Sequence, residues 1–391
     1  MIEIDTEKIP IKMWIKDIED GALEQVKHLA NLPFAFFNIA IMPDCHQGFG
    51  MPIGGVMATT DVVIPNAVGV DIGCGMRAME TCMSVEDLTK EKLVELMKHI
   101  RKNIPVGFSH NKEAHIEDMP TDDSHPSDKL LGKPIVKQQY GSATHQIGTL
   151  GGGNHFIEIQ KDEEDMVWIM IHSGSRNLGY TVARYYNDIA KKLNKDYHSV
   201  VPKDWDLAFL PLDSEEAKAY FREMNYCLEF AKANRARMMR IIDEKIDEMG
   251  YGSGDELDIH HNYAVIEKHF GRQVVVHRKG ATSAREGELG IIPGSQGTAS
   301  YIVKGKGNMF SFNSCSHGAG RKMGRRVAKR TLDLKKQQEL LNKQGIMHSV
   351  RTVNDLDEAP GAYKDIEDVM ANQTELVDII VKLKPIAVVK G

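Results

Sequence analysis

Glycine constrains this chain more than any other residue. There are 34, and many sit in short clusters beside His, Asn or Asp. Such clusters interrupt regular structure and let the backbone approach a ligand closely, since glycine has no Cβ. They are Gly69-Val70-Asp71-Ile72-Gly73-Cys74-Gly75, Gly148 through His155, Ile291 through Tyr301, and Ser314-Cys315-Ser316-His317-Gly318-Ala319-Gly320-Arg321. The chemistry is therefore sought at these turns.

The last of them is the most suggestive. A turn of small residues opening onto a helix offers free N–H groups and a positive dipole end to a phosphate. The spacing predicts a helix over 320–343, and its first turns carry Lys322, Arg325, Arg326, Lys329 and Arg330. His317 would stand at that turn, and a neutral imidazole is a competent nucleophile toward phosphorus. The competing reading is a buried histidine at a helix start.

The 391 residues suffice for one large or two ordinary domains. The net charge of −6 means that any nucleic-acid binding uses a local patch. Five cysteines, Cys45, Cys74, Cys82, Cys227 and Cys315, are not paired by spacing. That argues against a disulfide framework and for a reducing compartment. The start, Met1-Ile2-Glu3-Ile4-Asp5, lacks the basic and apolar regions of a signal peptide. No apolar run is long enough to span a membrane, so a cytoplasmic location is expected.

Along the chain, Lys12 to Ile15 reads as a strand and Gly21 to Leu29 as a helix. Met42 through Gly48 reads as a polar turn with Asp44, Cys45 and His46 as possible ligands. Val62 to Ile64 and Ala67 to Ile72 read as strands. Leu88 to Lys102 carries a helical apolar stripe. Residues 111–133 read as a long surface loop, with His110, His115 and His125 solvated. Val167 to Ile171 is a strand ending in His172-Ser173-Gly174-Ser175-Arg176. Residues 175–195 and 214–249 read as helices; on the second, Cys227 packs and Arg235, Arg237 and Arg240 face solvent or RNA. A final helix is expected near Thr374 to Leu383, then a strand to the last residues. No repeat, linker or low-complexity segment divides the chain, so residues 1–391 are expected to form a single domain. The 291–301 loop is neither of the standard phosphate-binding glycine patterns, and the missing lysine excludes a P-loop ATPase.

One cysteine, one aspartate and several glycine-flanked histidines make a coherent donor set. Asp71 and Cys74 lie three apart in a turn, where a carboxylate and a thiolate can converge on one ion; the alternative is a small apolar cysteine in a tight turn. Two divalent metals sharing a thiolate need about five protein ligands, and Asp71, Cys74, His155, His172 and His261 supply them. Such a pair would orient a triphosphate for attack by His317.

Seven segments then resemble the RtcB family of RNA ligases. They are Asp44-Cys45-His46; Gly69 through Gly75; Gly151-Gly152-Gly153-Asn154-His155-Phe156-Ile157-Glu158; His172 through Arg176; His261-Asn262; Pro293-Gly294-Ser295; and Ser316-His317-Gly318-Ala319-Gly320-Arg321. They appear in the family's order and run nearly to the terminal Val388-Val389-Lys390-Gly391.

The resemblance implies an α+β fold with mixed β-sheets around a dinuclear metal cleft and helices outside. It implies GTP- and manganese(II)-dependent joining of RNA 2′,3′-cyclic phosphate or 3′-phosphate ends to 5′-hydroxyl ends, in tRNA splicing or RNA repair. Asp71, Cys74 and His155 would hold one metal, and Cys74, His172 and His261 the other. His317 would be guanylylated, and GMP would pass to the RNA 3′-phosphate before displacement by the 5′-hydroxyl. The nucleotide would be bound by Asn154, His155, Glu158, His261 and Asn262. Pro293, Gly294, Ser295, Gln296 and Ser300 would form a second wall. His317, Gly318, Ala319 and Gly320 would form a third, with Tyr363 stacking on the base and Lys390 completing the pocket. Glu158 would accept from guanine N1 and N2. Arg176, Arg321 and Arg325 would contact RNA phosphates.

Asn177, Gln296 and Gly324 depart from the family pattern and bear on substrate range. An archease-like activator and a monomeric state are further expectations. Two other readings use the same residues: a nucleotidyltransferase that caps 3′-phosphates with GMP, and a two-metal phosphoesterase, which would leave His317 without a task. An RNA-binding module without catalysis fits poorly with the acidic net charge.

Overall fold

Runs such as Ile39-Ala40-Ile41 and Val274-Val275-Val276 favour strands buried on both faces, and they sit at the centre of the fold. A computed structural model describes residues 1–120 and 134–391. Its architecture is α+β, with two large sheets. The first runs in the order Ile2–Ile4, Ile11–Met13, Ala35–His46, Ile53–Thr59, Arg272–Lys279, Asn262–His269. The second runs Ser253–His260, Gly75–Ser84, Met166–Ser173, Phe156–Lys161, Val377–Lys390, Ser300–Gly305, Leu289–Ile292. Neighbours are antiparallel except Ile11–Met13 beside Ala35–His46.

The chain passes directly from one sheet to the other at His261, between Ser253–His260 and Asn262–His269. Arg272–Lys279 ends at Gly280, and Ala281–Ser283 then pairs with Ser314–Ser316, which delivers His317. The candidate residues thus collect where the sheets meet.

The 34-residue helix Glu215–Glu248 backs the second sheet. Ser214 caps it by accepting from the Ala217 N–H, and Gly250, at φ +90°, follows its end. Its inner face buries Met224, Cys227, Ala231, Met238 and Ile242, each large side chain contributing about 1.5–3 kcal/mol by removal from water. Arg235 lies on that face too, fully buried, which corrects its expected outward position. Its guanidinium donates to Asp258 (2.6 and 2.9 Å) and to the carbonyls of Gly73 and Ser173 (3.1 and 2.9 Å). Arg237 and Arg240 both pair with Asp118.

Other expectations also change. Residues 42–46 are strand, not turn, and carry Asp44 into the interior. Pro65–Val68 is a short helix, because proline at its first position presets φ. The 320–343 helix is two helices, Arg325–Thr331 and Leu334–Lys343, since Gly324 and Leu332 take extended backbone angles and Asp333 caps the second. Residues 374–383 form no helix. The helix Ile366–Ala371 ends earlier, and the β-branched Val377, Ile379, Ile380 and Val381 enter a 14-residue strand that reaches Lys390. His110 is exposed, but His115 is held between Glu117 (3.2 Å) and Arg237 (3.0 Å). His125 lies outside the described residues.

Candidate metal and nucleotide site

The turn Asp71–Cys74 is stapled to the sheet crossover. His261 N–H donates to the Cys74 carbonyl (2.9 Å), Gly73 N–H to the Asn262 carbonyl (3.0 Å), and the Asn262 amide to the Asp71 carbonyl (3.1 Å). The Cys74 Sγ lies 3.5 Å from His155 Nε2 and 3.2 Å from His172 Nε2. Asp71 Oδ2 is 3.6 Å from His155 Nε2. Two groups result, Asp71–Cys74–His155 and Cys74–His172–His261, each with its ligand atoms within 4.8 Å of one another and sharing Cys74.

The imidazoles are set for coordination. His155 Nδ1 donates to the Leu150 carbonyl (2.9 Å) and His172 Nδ1 to the Asn154 carbonyl (3.2 Å), leaving each Nε2 lone pair aimed at the thiol. His261 Nδ1 is buried without a hydrogen-bond partner. Burial holds His172 and His261 well below the ordinary histidine range, so both stay neutral. Burial, and then the Asp71 charge, push the Cys74 thiol up, a cost that a bound cation would offset by favouring thiolate. Soft sulfur, imidazole nitrogen and carboxylate oxygen suit a borderline divalent metal.

His317 follows directly on Ser314–Ser316. Asp44, fully buried, gathers its N–H groups on one oxygen: Oδ2 accepts from His317 Nδ1 (2.6 Å), His317 N (3.1 Å) and Gly318 N (3.3 Å). Burial pushes the Asp44 carboxyl up, but the charge and hydrogen bond of His317 outweigh it and hold the group below the usual carboxylate range. With Nδ1 so engaged as donor, Nε2 is the ring nitrogen that carries the lone pair. The ring centroid lies 4.9 Å from that of His261. Gly320 closes the turn at φ +71°, where a Cβ would meet the Asp44 carbonyl at 2.2 Å, so only glycine fits. The sequence marks Asp44 only as a possible ligand in a polar turn; its place as the partner of His317 follows from the fold.

Beside His317 a cleft of about 980 Å³ opens. On one side it is lined by Glu158, Ser295, Gln296, Tyr363 and Lys390. Glu158 is 3% exposed, and burial pushes its carboxyl up to about 7. The Gln160 amide donates to Glu158 (2.6 Å) and to Ser300 Oγ (3.1 Å), and that hydroxyl accepts from Gly294 N–H (3.1 Å). Ala319 N–H donates to the Pro293 carbonyl (3.0 Å). Glu358, absent from the expected site, ties this wall together. It accepts from the Tyr363 hydroxyl and from Lys390 Nζ (2.9 Å), and pairs with Arg321 (3.3 Å) and Arg325 (3.7 Å). The Gln296 amide donates to its backbone carbonyl (2.9 Å).

Asn154 and Asn262 also line the cleft. Asn262 is further a strut, accepting from Gly280 N–H (2.7 Å). Arg325 stands at the rim, half exposed. Arg176 is turned away from the lining, its guanidinium donating to Thr149 Oγ1 (3.2 Å) and lying 3.5 Å from His155 Nδ1.

The chain matches the family described as "tRNA-splicing ligase RtcB" over residues 25–391. The "RNA-splicing ligase RtcB" of Escherichia coli (strain K12) is 40% identical over 408 aligned residues, covering 99% of each chain. The "tRNA-splicing ligase RtcB" of Methanococcus maripaludis is 33% identical over 456, covering 97% of this chain and 93% of that one. That of Thermococcus kodakarensis is 33% identical over 448, covering 95% and 92%.

Proposed function

The chain belongs to the RtcB family and is an RNA ligase, and we propose that it joins RNA 3′-phosphate or 2′,3′-cyclic phosphate ends to 5′-hydroxyl ends through a guanylylated His317. Residues 1–391 are read as one ligase unit, because residues from Glu19 to Lys390 line one cleft.

The observation that carries this reading is the placement of His317, with Nδ1 on a buried carboxylate and its ring beside His261. Nε2 attacks the α-phosphorus of GTP; the N–P bond forms, the α–β P–O bond breaks and pyrophosphate leaves. The ring, bearing phosphorus on Nε2 and hydrogen on Nδ1, is cationic, and the Asp44 carboxylate stabilises that charge. An oxygen of the RNA 3′-phosphate then attacks the same phosphorus, and the N–P electron pair returns to Nε2. The 5′-hydroxyl oxygen finally attacks the RNA-side phosphorus, GMP departs with the electron pair, and the hydroxyl proton passes to solvent. Asp71, Cys74 and His155 would hold one manganese(II) ion and Cys74, His172 and His261 the other, neutralising charge on the phosphates and orienting the phosphorus. Glu158 accepts from guanine N1 and N2, the Tyr363 ring packs on the base, Lys390 completes that pocket, and Arg176, Arg321 and Arg325 are assigned to RNA phosphates.

Incubation with radiolabelled GTP and manganese(II) tests this. Native protein acquires an acid-labile covalent label and His317→Ala does not; a label of equal strength on both would place the nucleophile elsewhere.

A further inference from the structure

The cleft has a second side that the nucleotide does not use. Beyond Gly280 it is lined by Glu19, His46, Phe49, Asn66, Val70 and Lys279. Phe49 is 80% exposed and Val70 49% exposed. A single exposed apolar side chain is ordinary. What is unusual is that the backbone at and beside Phe49 is held by side-chain hydrogen bonds while its ring makes no aromatic contact among the described residues. The Gln25 side chain donates to the Gly48 carbonyl (2.7 Å) and accepts from its N–H (3.0 Å). Lys279 Nζ donates to the Phe49 carbonyl (2.6 Å) and to the Asn66 carbonyl (3.0 Å). Gly50 stands at φ +68°, where a Cβ would meet the Asp206 carbonyl at 2.7 Å. An aromatic ring on a fixed backbone is a preorganised stacking surface, because little order is lost when a base settles on it.

The order of the cleft says which base. His317 stands between two shoulders. A Cβ on Gly280 would lie 3.1 Å from His317 Cε1, so that edge of the ring lies against Gly280, the residue after Lys279, whose Nζ holds the Phe49 carbonyl. The following residues lean the other way, Ala319 N–H on the Pro293 carbonyl (3.0 Å), towards Glu158, Tyr363 and Lys390. Phosphoryl displacement is in line, so the entering oxygen comes from the side opposite the leaving group. If GMP leaves into the Glu158 side, the entering 5′-hydroxyl arrives from the Phe49 side.

Resting on the proposed ligase reading, we infer that Phe49 is the platform on which the first base of the 5′-hydroxyl strand stacks for sealing. Lys279 and Gln25 act on it as positioning residues, through the backbone. Stacking tolerates every base, so this side selects a strand end and not a sequence.

The test uses full-length protein, Phe49→Ala and Phe49→Tyr. One assay mixes a 3′-phosphate oligonucleotide, a separate 5′-hydroxyl oligonucleotide, GTP and manganese(II). Phe49→Ala is expected to keep enzyme guanylylation and 3′-end guanylylation within about twofold, while sealing slows about tenfold or more and the guanylylated RNA accumulates. Phe49→Tyr restores sealing. The second assay places 2-aminopurine as the first base of the 5′-hydroxyl strand and reads its quenching on binding, which Phe49→Ala removes. Unchanged sealing and quenching would overturn the inference, as would an equal loss in all three steps, which marks a merely structural role. Absence of any guanylylation in native protein would count against the ligase reading, while the quenching assay would still decide the role of Phe49.

Discussion

His317 Nδ1 lies 2.6 Å from Asp44 Oδ2, so a carboxylate fixes the tautomer of the ring and leaves Nε2 for chemistry. Asp44→Asn keeps a similar shape and loses the charge. It should slow guanylylation at least about 100-fold in single-turnover labelling, the scale of losing a positioned acid–base partner. Metal content should stay the same.

Cys74 belongs to both donor groups and His155 to one. Elemental analysis after dialysis against manganese(II) should find two equivalents in native protein, one in His155→Ala and none in Cys74→Ala. A chelator should lower the unfolding temperature of native protein and leave that of Cys74→Ala unchanged, because ligands that bind only the folded state stabilise it.

Glu158 ionises at about 7, raised by burial from 4.5. A raised carboxyl favours the neutral acid in the folded state. Its contribution to stability is therefore full below about 4.5 and is lost as pH climbs through about 7. Guanine N–H groups need the ionised form, so the KM for GTP should fall as pH rises from 6 to 8. Glu158→Gln should flatten that profile and narrow the preference for GTP over ATP, measured by initial guanylylation rates.

Arg235 and Asp258 form a buried pair, 0% and 8% exposed at the side chain. Arg235→Met leaves the buried Asp258 carboxylate with only the longer Arg77 contact (3.3 Å) and removes a donor from two carbonyls. Urea unfolding should show a loss of ~3–5 kcal/mol, and Arg235→Met with Asp258→Leu should recover part of it.

The candidate metal donors Asp71, Cys74, His155 and His172 were legible because they sit in glycine-containing turns, where a donor type is a local signal; His261, with no glycine beside it, joined them only as part of the donor set. The roles of the two acids that organise the site were not legible, although Asp44 was singled out as a possible ligand. Asp44 lies in strand Ala35–His46, where the surrounding apolar run hides its role. Glu358 lies in a short 3₁₀ segment, and only the fold brings Tyr363, Lys390 and Arg321 around it. Arg235 misled differently. Its spacing from Ala231, Met238 and Ile242 is that of the buried stripe, but its charge argued for the surface. The interior supplied a carboxylate and two carbonyls that no periodicity announces. Residues 377–381 show the converse, since their β-branched side chains signalled the strand that helical expectation overlooked.

His317, the proposed nucleophile, and Asp44 are separated by 273 residues. Contacts between such distant segments close a large loop, and their entropy is lost before any gain returns. The site therefore exists only once these distant segments have docked. A chain in which either sheet has come apart holds every chemical group and has no oriented nucleophile. Under the proposed mechanism, covalent labelling by GTP would report the completed topology, and in a denaturant titration it should disappear no later than helical circular dichroism does.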